Sequence, residues 1–171
     1  GLVPSGIGLS LASFQATNAS TQSVNSLVTV TPQFTANGVT CTGSNTTFTI
    51  FVSPTPTVTA PNNQIVCNGS PTAAVNFNGA VANTTYNWTN SIPTIGIPAS
   101  GSGNIAAFNA VNNGNAAQFA QITITPAFIQ NTVSCPGAPQ SFTYQINPTP
   151  SVTNPGSQYV CANSTTQLLN F

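Results

Sequence analysis

The sequence contains no ordinary charged side chain: Lys, Arg, Asp, Glu and His are all absent from its 171 residues. About a quarter of the residues in an ordinary domain are charged. General acid–base catalysis needs a group that titrates near working pH, usually His, Glu, Asp or Lys. A Ser or Thr nucleophile in turn needs a neighbouring base. The composition therefore argues against an enzyme, and we expect no catalytic residue and no cofactor.

The same absence argues against metal and nucleic-acid sites. Calcium sites are built from carboxylates, and catalytic zinc sites usually contain His. Affinity for nucleic acid depends largely on the neutralisation of phosphates by Lys and Arg. We therefore expect no metal site and no nucleic-acid partner.

Long apolar runs are also missing. No stretch approaches the ~18 residues that a membrane-spanning helix needs, because Thr, Asn and Gly interrupt the apolar residues throughout. We therefore expect no insertion into a membrane. The chain is nevertheless 40% hydrophobic, with ten Phe and one Trp. This content favours a folded protein over a disordered one.

What the sequence does contain is a long repeat. The stretch SPTPTVTAPNNQIVCNGS, at Ser53–Ser70, returns 94 residues later as NPTPSVTNPGSQYVCANS. Residues 28–77 and 122–171 are identical at 23 of 50 positions without a gap. A period of this size exceeds the 20–50 residues of solenoid repeats. It matches a β-sandwich domain of about 100 residues.

The repeat predicts a tandem array of domains. We expect residues 1–53 to form the C-terminal part of one repeat, residues 54–147 a complete repeat, and residues 148–171 the N-terminal part of the next. Proline fixes φ and favours an extended residue before it. Alternating X-Pro therefore predicts a short, stiff connector at each junction. The junction prolines are Pro54, Pro56, Pro148 and Pro150.

Within the complete repeat, apolar residues alternate with Thr, Asn and Gln. This period of two is typical of half-buried antiparallel strands, and no segment shows a helical stripe. Segments such as PASGSGN are typical of turns. We therefore predict an all-β fold, a two-sheet β-sandwich. The predicted core consists of Val75, Phe77, Tyr86, Trp88, Ile122, Ile124, Phe142, Tyr144 and Ile146.

The chain also resembles a known family. It is similar to the PKD-like tandem repeats of giant cell-surface proteins from Bacteroidetes-type bacteria, along essentially its whole length. The resemblance is carried by NPTPSV, VCNGSPTAAVNF, TTYNWTNSIPTIGIPASGSGNIAAFNAVN and QITITP…SCPG…SFTYQINPTP. It implies tandem immunoglobulin-like or PKD-like β-sandwich domains in a secreted, type IX or gliding-motility-associated protein. PKD domains often carry an acidic run after their Trp, but TNSIPTIG follows Trp88, which argues against a calcium-dependent role.

Two functions are compatible with these observations. The first is a non-enzymatic, extracellular structural repeat that forms the stalk or shaft of a bacterial surface filament or adhesin, with neighbouring repeats and laterally associated chains as its partners. The alternative is a module that binds a carbohydrate or another surface. Trp88 could stack on a sugar, but its position on an alternating strand favours core packing. A binding module should also show exposed aromatic residues beyond those of the core.

Four cysteines occupy equivalent places in the repeats. They are Cys41, Cys67, Cys135 and Cys161. Their even number and the extracellular setting favour disulfides over free thiols. We predict first a bridge between Cys67 and Cys135 within the complete repeat. If those two residues lie at opposite ends of the sandwich, bridges between neighbouring repeats are the alternative.

Overall fold

The computed structural model describes residues 5–170, and within this range the fold is all-β with a single 3₁₀ turn at Pro93–Ile95. Its architecture is compatible with a β-sandwich. The strands, in chain order, are β1 Val24–Val30, β2 Gln33–Ala36, β3 Val39–Thr42, β4 Thr46–Val52, β5 Gln64–Cys67, β6 Thr85–Asn90, β7 Ser100–Ser102, β8 Gln118–Gln130, β9 Val133–Pro136 and β10 Gln140–Asn147.

One six-stranded sheet contains every strand between residues 54 and 147. Its strand order is β5-β10-β8-β6-β7, and β9 pairs with the far half of β8. The long strand β8 has 13 residues and forms the centre. Its first half pairs with β10 in a register that places Ile122 opposite Phe142, and its second half pairs with β9, which places Phe128 opposite Cys135.

Two features of this sheet differ from the sequence-based expectation. The first strand, β5, runs parallel to β10 rather than antiparallel. The segment PASGSGN contains strand β7, which pairs with β6, rather than only a turn. Gly101 makes this pairing possible because the ring of Trp88 covers it: an added Cβ would lie 2.2 Å from Cζ2 of Trp88.

The second layer consists of extended segments with few regular ladder bonds. Val75 and Ile105 exchange two backbone hydrogen bonds of 2.8 and 3.0 Å, and Thr72 donates its backbone N–H to the carbonyl of Phe108. The side chains of this layer face the sheet and close the core over it. The buried cluster therefore lies between the sheet and these segments.

The structure buries eight of the nine residues that the alternation assigned to the core, and Tyr86 is partly buried against them. Tyr144 and the three isoleucines at positions 122, 124 and 146 are fully buried. Trp88 is 7% exposed, and its Nε1 donates a 3.1 Å hydrogen bond to the carbonyl of Gly103. Its face is therefore not available for stacking on a sugar.

The strands before residue 53 reproduce the pairing of the later ones at an offset of 94 residues. Val28 lies opposite Phe48 in β1 and β4, as Ile122 lies opposite Phe142 in β8 and β10. Phe34 lies opposite Cys41 in β2 and β3, as Phe128 lies opposite Cys135. Pro4, which lies 94 residues before Pro98, and Phe171, which lies 94 residues after Phe77, are outside the described range. We call the described residues up to 53 the first repeat and residues 54–147 the complete repeat.

Candidate interface between repeats

The segment that joins the two repeats is packed into the complete repeat. We call Ser53–Val58 the connector. Pro54, Pro56 and Val58 are buried, whereas Thr55 and Thr57 between them are exposed. This alternation is that of an extended chain with one face against a core. The connector is therefore extended, as its prolines predict, and its inward face belongs to the domain that follows it.

Two glycines allow the connector to approach the domain closely. A Cβ added to Gly79 would lie 1.8 Å from the carbonyl oxygen of Thr57, and one added to Gly137 would lie 1.9 Å from that of Pro56. Any larger side chain at either position would collide with main-chain atoms of the connector. The backbone N–H of Thr59 also donates a 2.9 Å hydrogen bond to the carbonyl of Asn78.

The tip of the β8–β9 hairpin reaches back to the first repeat. The amide oxygen Oε1 of Gln130 accepts hydrogen bonds from the hydroxyls of Ser23, at 2.5 Å, and Ser53, at 3.0 Å. Ser23 precedes β1 and Ser53 follows β4, and these two strands are paired with Val24 opposite Val52. A single side chain therefore contacts the adjoining ends of both strands. These contacts add a polar link between the two repeats beside the covalent connector.

A cleft of about 400 Å³ lies beside these hydrogen bonds. Residues of the first repeat form one wall, and the hairpin of the complete repeat forms the other. The lining residues are Ala16, Phe51, Val52, Ser53, Gln130, Asn131, Val133 and Cys135. The cleft is thus a feature of the joint, by which we mean the connector, the hairpin tip and the end of the first repeat.

The hairpin turn has the same backbone shape in both repeats and the same first residue, Asn, but a different second residue. In the first repeat, Asn37 and Gly38 have positive φ values of 50° and 78°. In the complete repeat, the equivalent Asn131 and Thr132 have φ values of 46° and 67°. Two positive φ values are typical of a type I′ turn, for which Asn-Gly is the favoured pair. Thr132 therefore occupies a left-handed position that a β-branched residue rarely adopts.

One asparagine per repeat holds the end of the domain together. Nδ2 of Asn112 donates to the carbonyls of Ala116, at 2.8 Å, and Ile146, at 2.7 Å, and its Oδ1 accepts from the backbone N–H of Gly114 at 3.0 Å. Asn112 is buried, with 2% of its surface exposed.

Asn18 makes the same three hydrogen bonds in the first repeat, to Gln22, Val52 and Ser20, each 94 residues earlier. Asn18 and Asn112 are not distinguished by any motif of the sequence. The signal that could have found them is an Asn at the same offset in both repeats, but the chain has many asparagines, and only the folded contacts distinguish these two.

The predicted bridge between Cys67 and Cys135 is wrong, because all four cysteines are free in the structure. Cys67 ends β5 next to Asn147, at the end of the complete repeat where β10 finishes. Cys135 lies in β9 opposite Phe128, at the other end. About ten residues of β8 separate these levels, which is ~33 Å at ~3.3 Å per residue. A disulfide requires Cα atoms less than about 7 Å apart.

The remaining junction residues are less buried than those of the connector. Pro148 is partly buried and Pro150 is exposed, whereas Pro54 and Pro56 are fully buried. The segment after Asn147 forms no strand within the described residues. The two aligned tetrapeptides therefore have different surroundings in this chain, although their sequences are nearly the same.

The electrostatic character of the molecule is set by neutral polar groups. Burial raises the pKa of Tyr144 from its ordinary value of 10.0 to about 12, since a buried phenolate would lose its hydration. Its hydroxyl has no hydrogen-bond partner among the residues that the structure describes. No group of three potential metal ligands forms anywhere in residues 5–170.

Within that same range, the structure contains no helix with the length and apolarity to cross a membrane.

In comparisons with known proteins, no family model, no curated protein and no solved structure matches this chain.

Proposed function

We propose that this chain is a structural segment of an extracellular shaft, in which β-sandwich repeats of 94 residues are joined end to end. The observation that carries the proposal is the joint. The inward face of the connector is buried in the repeat that follows it, and Gln130 links the hairpin of that repeat to the paired ends of β1 and β4 in the preceding one. Such a joint restricts bending between domains more than a free linker does.

The proposed shaft has immunoglobulin-like or PKD-like domains, is secreted to the bacterial cell surface and has no catalytic role. The absence of charged residues supports it, because such a chain has no side chain that can serve as a general base near neutral pH. Recurring strand registers and the Asn18 and Asn112 contacts support repeated, similarly built domains.

The geometry of the joint sets the expected spacing of the shaft. The hairpin tip of one repeat contacts the end of the previous one, and β8 spans the distance between these two levels with 13 residues. At ~3.3 Å per residue, each repeat should advance the shaft by about 40 Å. The array should therefore lengthen linearly with the number of repeats.

Small-angle X-ray scattering on lengthened chains tests this proposal. Appending a copy of residues 78–147 after Phe171 completes the last repeat in the established register, and a further copy of residues 54–147 adds one more. The maximum dimension should grow by about 40 Å between these two chains. A growth well below that, or profiles of a flexible chain, would contradict a stiff shaft.

One observation favours the alternative, a surface that binds a carbohydrate or another chain. Phe119 is the exposed aromatic residue of the complete repeat, and it lies opposite Gln145. In the first repeat the pair is exchanged, with Asn25 opposite the exposed Phe51. Each repeat thus presents one aromatic ring beside one amide on the same row of its outer face.

The same row could bind glycans or support the lateral association of shafts, and a substitution separates these roles. Phe119→Ala should leave folding intact, since the side chain is 58% exposed. Loss of binding to immobilised cell-surface oligosaccharides would support the binding module. Loss of bundles in negative-stain images, without any oligosaccharide binding by the original chain, would support lateral packing.

A further inference from the structure

We propose that the end of each repeat receives the hairpin of the next repeat through a disulfide, formed between the cysteine that ends β5 and the β9 cysteine of the following repeat. This inference rests on the proposed tandem shaft. It extends that function by assigning a role to the four free cysteines.

The first repeat and the complete repeat have equivalent ends, 94 residues apart in sequence. At the joint, Cys135 lines the cleft together with Ala16 and Val52 of the first repeat. The residues 94 positions later in the complete repeat are Ala110 and Ile146. Because strand registers and the asparagine contacts recur at this offset, the cysteine of a following repeat would lie beside Ala110 and Ile146.

Cys67 lies at the same end of the complete repeat as Ile146. Strand β5 pairs with the end of β10, with Val66 beside Ile146 and Cys67 beside Asn147. The backbone N–H of Gly69 donates a 2.7 Å hydrogen bond to the carbonyl of Ala110. The residues that flank Cys67 are therefore those that correspond to the cleft wall around Cys135.

The proposed pairing assigns none of the four cysteines to another of the four. The proposed disulfide joins the β5 cysteine of one repeat to the β9 cysteine of the next. The partner of Cys67 is therefore the cysteine that lies 94 residues beyond Cys135. Cys135 and Cys41 occupy the β9 position of their repeats, so each has its partner at the β5 position of the repeat before its own. Cys161 occupies the β5 position, so its partner is at the β9 position of the repeat after its own. No two of the four cysteines face each other across one joint, in agreement with four free thiols.

Bond formation would follow ordinary thiol–disulfide exchange. A thiolate at one cysteine attacks an oxidised disulfide donor, such as oxidised glutathione, and forms a mixed disulfide. The thiolate of the second cysteine then displaces the donor's thiol. Two thiols of the protein are oxidised with loss of two protons, and the donor's disulfide is reduced to two thiols. Each joint then has a covalent link beside its peptide connector.

The chain lengthened by residues 78–147 tests the inference, since it places a copy of Cys135 in the repeat that follows Cys67. After equilibration in a glutathione buffer with the reduced form in excess, which reverses mixed disulfides at unpartnered cysteines, the unmodified chain should keep four of four reactive thiols, and the lengthened chain should keep three of five. Pepsin digestion at low pH should then yield a disulfide-linked peptide pair of Cys67 and the added cysteine. Trypsin is unsuitable because the chain has no Lys or Arg.

Substitutions provide the matched control. Cys67→Ser should abolish the linked peptide pair, whereas Cys161→Ser, at the equivalent position of the next repeat, should leave it unchanged. If scattering gives the expected increase in maximum dimension but Cys67 keeps a reactive thiol in the lengthened chain, the disulfide is overturned and the shaft is not. A bridge from Cys67 to the original Cys135 would overturn it too. Failure of the scattering increment of about 40 Å would instead contradict the shaft itself.

Discussion

Gly137 lies against the connector, and adding one methyl group there should loosen the joint. In Gly137→Ala, the new Cβ would lie 1.9 Å from the carbonyl oxygen of Pro56, whereas ordinary van der Waals contacts begin at 3.4 Å. The main chain on one or both sides must therefore withdraw by about 1.5 Å in total. Neither side can yield by a simple side-chain rotation, because both atoms that collide are held by the backbone.

The magnitude follows from the overpacking of a buried contact. Forcing an extra methyl group into a packed site typically costs ~1–3 kcal/mol. If the connector detaches instead, Pro54, Pro56 and Val58 lose their burial, and the valine alone contributes about 1.5–3 kcal/mol. Both routes predict that the complete repeat loses about 1–3 kcal/mol of unfolding free energy.

The first repeat offers a matched control. Gly43 is the counterpart of Gly137, and both donate their backbone N–H to a proline carbonyl, of Pro32 or Pro126, at 2.9 Å. A Cβ at either position would meet Cγ of that proline at 3.0 Å, but only Gly137 faces the connector. Gly43→Ala should therefore reproduce the local contact without the collision with Pro56.

Urea denaturation followed by tryptophan fluorescence measures the difference. Trp88 is the only tryptophan and lies in the core of the complete repeat, so its signal reports the unfolding of that domain. With a slope of ~1–3 kcal/mol per molar urea, the midpoint of Gly137→Ala should fall by roughly 1 M. The first repeat has no tryptophan, so the loss of unfolding free energy in Gly43→Ala is measured by the hydrogen exchange of β2 and β3. A loss in Gly137→Ala no larger than the loss in Gly43→Ala would refute the close packing of the connector.

Four further predictions concern the asparagine contacts, the hairpin turn, the absence of charged side chains and the buried tyrosine. Asn112→Ala should lower the unfolding free energy by about 2–4 kcal/mol in the same urea assay, because it leaves buried polar groups unpaired, and Asn18→Ala should alter the tryptophan signal far less. Thr132→Gly should raise the melting temperature, because it removes a β-branched residue from a left-handed conformation that costs about 1 kcal/mol. Gly38→Thr should introduce the same strain into the first repeat and lower the hydrogen-exchange protection of its β2–β3 hairpin. Melting temperatures should stay constant between about pH 5 and 8, since the chain has no Asp, Glu, His, Lys or Arg. The raised pKa of Tyr144, about 12, keeps its stabilisation intact below pH 10 and removes about 2 kcal/mol by pH 12. Tyr144→Phe should eliminate that alkaline loss, and an unchanged alkaline profile in this variant would assign the loss to other groups.

The period of two identified the inward face of the strands well. Side chains alternate between the two faces of a strand, so the placement of Ile122, Ile124 and Trp88 follows from their spacing and polarity. The same rule does not identify a strand's neighbour or direction. Pairing of β5 with β10 joins residues 80 positions apart, and no local pattern distinguishes its parallel arrangement from an antiparallel one.

The wrong prediction of a disulfide between Cys67 and Cys135 has the same cause, since strand direction and pairing are not visible in a local pattern. The sequence places Cys67 at the end of a strand and Cys135 near another, but their separation depends on the direction of β5 and on the length of β8. The close approach at Gly137 was equally hidden, since a glycine next to a proline is also typical of an ordinary turn.

By itself, the sequence determined the 94-residue period, the all-β character and the lack of Lys, Arg, Asp, Glu and His, because identity, alternation and composition are properties of the chain alone. Tertiary structure decided which ends meet. It buried the connector, placed Gln130 between two serines and separated Cys67 from Cys135. These outcomes depend on hydrogen bonds and packing between residues far apart in sequence, which form only when the whole sheet is assembled.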